Sequence, residues 1–159
     1  MKYLYFSLLL LITGNAYSKE LLKDISIYPI GFVKHFKPKS KTNDGNLNYF
    51  ALSKTYQKGD WNYENAVGTF VDSYHQRAII AFSNISHDDY KYGLVTPMLN
   101  LHCGYKGHTH TIDERKLQCL PALKIRIGRD KGLFTNIIPV PKIGTITNGL
   151  VAFEIGYKF

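Results

Sequence analysis

The sequence predicts an all-β chain: an eight-stranded antiparallel β-barrel of the up-and-down kind, crossing a bacterial outer membrane. Three observations predict it. The C-terminal segment 149–159 alternates, with Val151, Phe153, Ile155, Tyr157 and Phe159 on one side and Ala152, Glu154, Gly156 and Lys158 on the other. Period two is the signature of a strand, and a bulky apolar face opposite a small and charged one is the pattern of a strand between lipid and a filled interior. The N-terminal segment has a basic start, a short apolar run from Leu4 to Ile12 and an exit through Ala16 and Ser18, which is the form of an export leader. Between these ends the chain breaks into extended segments joined by alternately short and long connections.

Taken in order, the leader is expected to occupy 1–18 and a single barrel domain 19–159. The apolar run of the leader is shorter than the roughly twenty residues a bilayer-spanning helix needs. Extended segments are expected at 25–34, 47–56, 61–71, 77–86, 91–103, 118–128, 133–141 and 149–159. Gln57 to Asp60, His87 to Tyr90 and Arg129 to Gly132 are short polar turns, whereas 35–46, 104–117 and 142–148 are longer and 72–76 is short. Short turns on the periplasmic rim and longer loops outside are the habit of outer-membrane barrels. An even number of strands returns both termini to the periplasmic side. No segment of helical period competes.

Within the strands, Trp61, Tyr63, Val67 and Val71 alternate with Asn62, Glu64, Ala66 and Gly68, and Leu123, Ile125 and Ile127 alternate with Lys124 and Arg126. A cation facing mid-bilayer lipid costs about 2–4 kcal/mol. Lys124, Arg126, Glu64 and Glu154 are therefore expected to point inward, where they can pair, and the many tyrosines to anchor the strands at the membrane interfaces. The formal net charge is +8. In an exported chain whose cations are scattered among apolar alternations, such charge suits lipid head groups and the phosphates of lipopolysaccharide rather than nucleic acid.

The two cysteines, Cys103 and Cys119, are expected to form a disulfide, as an even pair does in a small secreted chain. Closing a loop of that size contributes about 3 kcal/mol through the unfolded state. His108 and His110, with His102 on the preceding strand and Asp113 and Glu114 following, are residue types of a metal site, which needs three or four converging ligands; two histidines at i and i+2 on a polar loop are read instead as solvated or phosphate-contacting. No metal is expected there. His87 falls in a turn and is assigned a structural role.

The strand map places His35 at the end of the first strand and Asp72 and Ser73 in the second outer connection, all on the external side. A base, an orienting carboxylate and a hydroxyl are the ingredients of acyl transfer. The segment from Gly59 to Tyr74, with Phe70-x-Asp72-Ser73-Tyr74 at its core, resembles the lipid A palmitoyltransferase (PagP) family. Further matches follow in order: Tyr28-Pro29 and then His35, Leu120-Pro121-Ala122, Ile138-Pro139, and the terminal strand. The terminal Phe159 after alternating aromatics also resembles the C-terminal assembly signal of bacterial outer-membrane proteins.

The resemblance implies an outer-membrane acyltransferase, a monomer without metal or cofactor, that moves a fatty acyl chain from a phospholipid donor to a hydroxyl of a lipid A acceptor. It makes His35, Asp72 and Ser73 the catalytic residues, with His35 the general base. It also makes Pro29, Pro121 and Pro139 the residues that interrupt strand pairing and admit lipid, consistent with proline's missing donor. Asn84 stands where the family has a small Gly deep in the fourth strand, a larger and polar floor that would shorten the acyl pocket. The stretch before Ser26 is too short for the family's amphipathic helix, His35 lacks the preceding Trp, and the cysteine pair is an addition. Two other classes stay open: a non-enzymatic barrel serving adhesion, resistance or lysis, which requires an interior plugged by packed side chains, and a soluble periplasmic lipid-binding barrel.

Overall fold

A computed structural model describes residues 22–36, 45–46, 48–71, 77–106, 116–143 and 147–159. The leader expected at 1–18 lies outside them. Among the described residues the strands are β1 (Ile25–His35), β2 (Gly45–Asn46), β3 (Phe50–Lys58), β4 (Trp61–Val71), β5 (Arg77–His87), β6 (Val95–Lys106), β7 (Lys116–Gly128), β8 (Gly132–Ile143) and β9 (Thr147–Lys158). Every neighbouring pair is antiparallel, and β1 pairs with β9 from Ser26↔Lys158 to His35↔Leu150, so the sheet closes on itself. The two-residue β2 lies on the same side of β1 as β3. It is a short outer continuation of that strand, and the barrel is eight-stranded and up-and-down. Closure gives every long strand two ladder neighbours over at least part of its length.

The second expected strand, 47–56, is therefore broken. Asn48 takes a left-handed conformation, φ 44°, which short polar side chains tolerate. Tyr49 follows the kink on the same inward face as Ala51 and Ser53 and is buried. Pro29 sits opposite this break: the β1–β3 ladder stops at Tyr28↔Ala51, and the β1–β9 ladder shifts register between Ile27 and Ile30. A proline at a bulge removes a donor where none is needed. A Cβ on Gly31 would lie 2.8 Å from the Tyr49 Cβ, so only glycine lets that ring in.

The fifth expected segment, 91–103, is β6, which begins at Val95 and not at Lys91. Asp88–Tyr90 instead form one turn of 3-10 helix, capped by His87, whose Nδ1 accepts from the Asp89 N–H at 3.3 Å. Tyr92 and Val95 then exchange backbone hydrogen bonds of 2.8 and 3.0 Å. The ammonium of Lys91 pairs with Asp130, tying this turn to the one between β7 and β8. His87, expected in the turn, is the last residue of β5, and its ring also packs edge-on against Trp61, centroids 4.6 Å apart.

The polarity of the barrel is inverted relative to a water-soluble protein. Val67, Ile79, Leu99, Leu101 and Leu123 face outward and are exposed, while Glu64, Asn84, Asn100, Lys124, Arg126, Asn136 and Glu154 face inward and are buried. The alternation read from the terminal strand holds: Phe153 and Tyr157 are exposed, and Glu154 and Gly156 are buried. Tyr56, Trp61, Tyr90, Tyr92 and Tyr157 are exposed at the end where the short turns lie, the position of an interfacial aromatic belt. An apolar outside is stable only against lipid or another apolar surface.

Candidate functional site

The interior is built around two carboxylates. Glu64 on β4 receives donors from four strands: the Tyr28 hydroxyl and Ser53 Oγ (2.6 Å) reach Oε1, and Asn84 Nδ2 (2.8 Å) and Arg126 Nη2 (2.8 Å) reach Oε2. The same Arg126 nitrogen donates to the Tyr28 hydroxyl at 2.7 Å, and Arg126 Nε donates to Asn136 Oδ1 at 3.1 Å. Asn136 Nδ2 passes the chain on to Glu154 Oε2 at 2.9 Å, while Tyr49 donates to Glu154 Oε1 at 2.9 Å. Lys124 Nζ completes the second cluster with an ion pair to Glu154 Oε2 at 2.8 Å. Each of these buried charges thus has an opposite partner; Glu64, Arg126 and Glu154 have further hydrogen bonds, while Lys124 has its ion pair and the Phe82 ring.

Aromatic rings pack between and above these groups. Tyr28 meets Phe82 and Phe134 edge-on at 5.5 and 5.3 Å, and Lys124 Nζ lies 4.3 Å from the centre of the Phe82 ring. The Arg126 guanidinium lies 4.1 Å from the centre of Phe134, close enough for cation–π attraction. His102 stacks on Phe82, centroids 6.1 Å and planes 12° apart. Tyr28, Lys124, Glu64, Asn84, Asn136 and Ile80 all have less than 2% of their surface exposed, so the middle of the lumen is filled by side chains.

Asn84 lies in this lumen, as strand alternation requires. Its amide nitrogen is committed to Glu64, and its oxygen accepts from Asn100 Nδ2 at 2.7 Å. His35 ends β1, opposite Leu150 of β9, and is half-buried. Asp72 and Ser73 lie outside the described residues, as do His75, His108, His110, Asp113 and Glu114. The catalytic trio is thus represented by His35 alone.

Cys103 and Cys119 form the expected disulfide, between directly opposed residues of β6 and β7. Pro121 and Pro139 border a missing ladder. The β7–β8 pairing runs only from Ile125↔Ile137 to Gly128↔Phe134, although both strands continue well beyond it. Extending that register outward sets Leu123 opposite Pro139 and Pro121 opposite Pro141. Pro141 was not among the expected prolines, although the Pro139-x-Pro141 spacing carries its signal: two donors missing from alternate positions of one strand.

No protein-family model matches the sequence, and no curated protein matches it; the resemblance to lipid A palmitoyltransferases has no support from either comparison. Among solved structures the chain is similar to the backbone structure of the Yersinia pestis outer membrane protein Ail in a phospholipid bilayer nanodisc. That likeness has a TM-score of 0.52 and 14% identity, and it covers 86% of this chain and 99% of that one. The fold is that of a small outer-membrane barrel.

Proposed function

We propose that this chain is a non-enzymatic barrel of the bacterial outer membrane, of the class that serves adhesion, resistance or lysis, whose strands hold its outer connections on a rigid frame. One observation carries this reading: the lumen is locked across its middle by the Glu64–Arg126 and Lys124–Glu154 clusters and the rings packed on them. Side chains packed and hydrogen-bonded at Phe82 and Asn84 favour this reading over a barrel that holds an acyl chain at that depth. The membrane setting is supported by the outward apolar face, by the aromatic belt at the turn end and by the likeness of fold.

A second reading is acyl transfer from a phospholipid to lipid A, favoured by the unladdered stretch bordered by Pro121 and Pro139 and by His35 at the loop end. In it, the lipid A hydroxyl attacks the ester carbonyl of the phospholipid while His35 takes the hydroxyl proton. The proton then goes to the departing lysophospholipid oxygen, with Asp72 and Ser73 orienting or polarising. General base catalysis of this kind contributes about 10²–10⁴ in rate.

Mass spectrometry of lipid A from a Gram-negative host lacking its own palmitoyltransferase separates the two. Unchanged lipid A, with the barrel confirmed folded in the membrane, is the outcome expected of the non-enzymatic frame. A new acylated species that disappears with Ser73→Ala or His35→Ala would replace that reading by the second.

A further inference from the structure

The outer halves of β7 and β8 are each paired on one side only. β7 keeps β6 along Lys106↔Lys116 to Val95↔Ile127, and β8 keeps β9 out to Ile143↔Thr147, but between them the ladder ends at Ile125↔Ile137. Three prolines, Pro121, Pro139 and Pro141, lie along this seam and bring no backbone donor of their own to it. The other neighbour of the hairpin also gives out at its outer end: β5 supports β6 from Ile85↔Leu99 only as far as Ile80↔Gly104. Beyond that height the described hairpin of β6 and β7 stands on its own ladder.

The disulfide sits where that support ends. Cys103 pairs with Ala81 of β5 one residue before the last β5–β6 pair, and directly opposes Cys119 of β7. Alternation puts both sulfurs on the outer face of the sheet, with the neighbouring His102 and Gly104 turned inward. A bridge in this position does nothing for the lumen lock. We propose that Cys103–Cys119 is a strap that binds the one-sided outer half of β7 to β6, and thereby sets how far β7 swings from β8 into the surrounding lipid. Segments with few ladder bonds have the lowest local opening free energies, and the seam is such a segment next to fully laddered strands. The strap restrains the strand that has lost its partner, while the periplasmic half of the same strand, 125–128, is held by β8.

Amide hydrogen exchange in phospholipid nanodiscs tests this, with the folded protein measured before and after reduction by a phosphine and alongside Cys103→Ser/Cys119→Ser. Amides of 117–124, where Pro121 has none, are expected to exchange at least about tenfold faster without the bridge. Those of 125–128 and of the β4–β5 ladder should keep their rates. Unchanged exchange in 117–124 after verified reduction would overturn the strap, and so would an equal rise across every strand. Because reduction is performed on protein already folded, a double variant that fails to assemble leaves the test standing.

Discussion

Arg126 on β7 and Glu64 on β4 meet inside the barrel at 2.8 Å, 62 residues apart in sequence, with Tyr28 of β1 bonded to both. The relationship joins three strands that share no ladder with one another, so it braces the ring from within. Removing one partner leaves the other charge buried and unpaired, which costs about 3–5 kcal/mol. Arg126→Met should lose stability in that range in urea unfolding from detergent micelles or vesicles. Combining it with Glu64→Met should recover a large part of the loss, and a cycle of the two single and one double variants would show the coupling directly. Additive losses would mean that the two side chains are held independently.

A second stabilising relationship is steric. A Cβ placed on Gly156 of β9 would lie 2.3 Å from Cζ of Phe134 and 2.9 Å from the Ile27 carbonyl. Gly156→Ala is expected to destabilise by about 1–3 kcal/mol, the usual cost of overpacking. Phe134→Leu in the same chain should relieve the ring contact and leave the carbonyl contact, giving partial rescue. Full tolerance of Gly156→Ala would show that Phe134 does not occupy the glycine's space.

The lipid-facing surface is tested by depth. Leu99, in the middle of β6, is 68% exposed, and Leu133, beside the turn between β7 and β8, is 72% exposed. Equal exposure to water would make Leu99→Arg and Leu133→Arg equivalent. In a bilayer they differ: about 2–4 kcal/mol is expected at mid-depth and about 0–1 near the interface. Unfolding from phospholipid vesicles, compared with unfolding from detergent, measures the difference. Equal and small effects would argue against a spanning orientation.

The strands, their faces and the inward direction of Glu64, Lys124, Arg126 and Glu154 were legible because period-two alternation is local, and because a cation has only one tolerable side in a membrane strand. The disulfide was legible from cysteine count and context, and the interrupted ladder in part from Pro121 and Pro139. The lock itself was not. Which donor reaches which carboxylate depends on strand stagger around a closed ring, and partners such as Tyr49 and Glu154 lie 105 residues apart. Alternation with Ala51 and Ser53 puts Tyr49 on the inward face, but the room for its ring depends on the space Gly31 leaves on another strand, which the local pattern does not show. The expected trio of His35, Asp72 and Ser73 stands on residue order and resemblance, and the described fold adds only the position of His35.

The most direct measurement is nuclear magnetic resonance of the methyl-labelled protein in phospholipid nanodiscs, detecting contacts between individual methyl groups and lipid acyl chains. The outward methyls of Val67, Ile79 and Leu99 should show such contacts, and the inward methyls of Ile80, Ile138 and Met98 should show none. Acyl contacts at Ile80 and Ile138 would contradict a filled lumen, place a lipid chain inside the barrel and turn the functional assignment to acyl transfer.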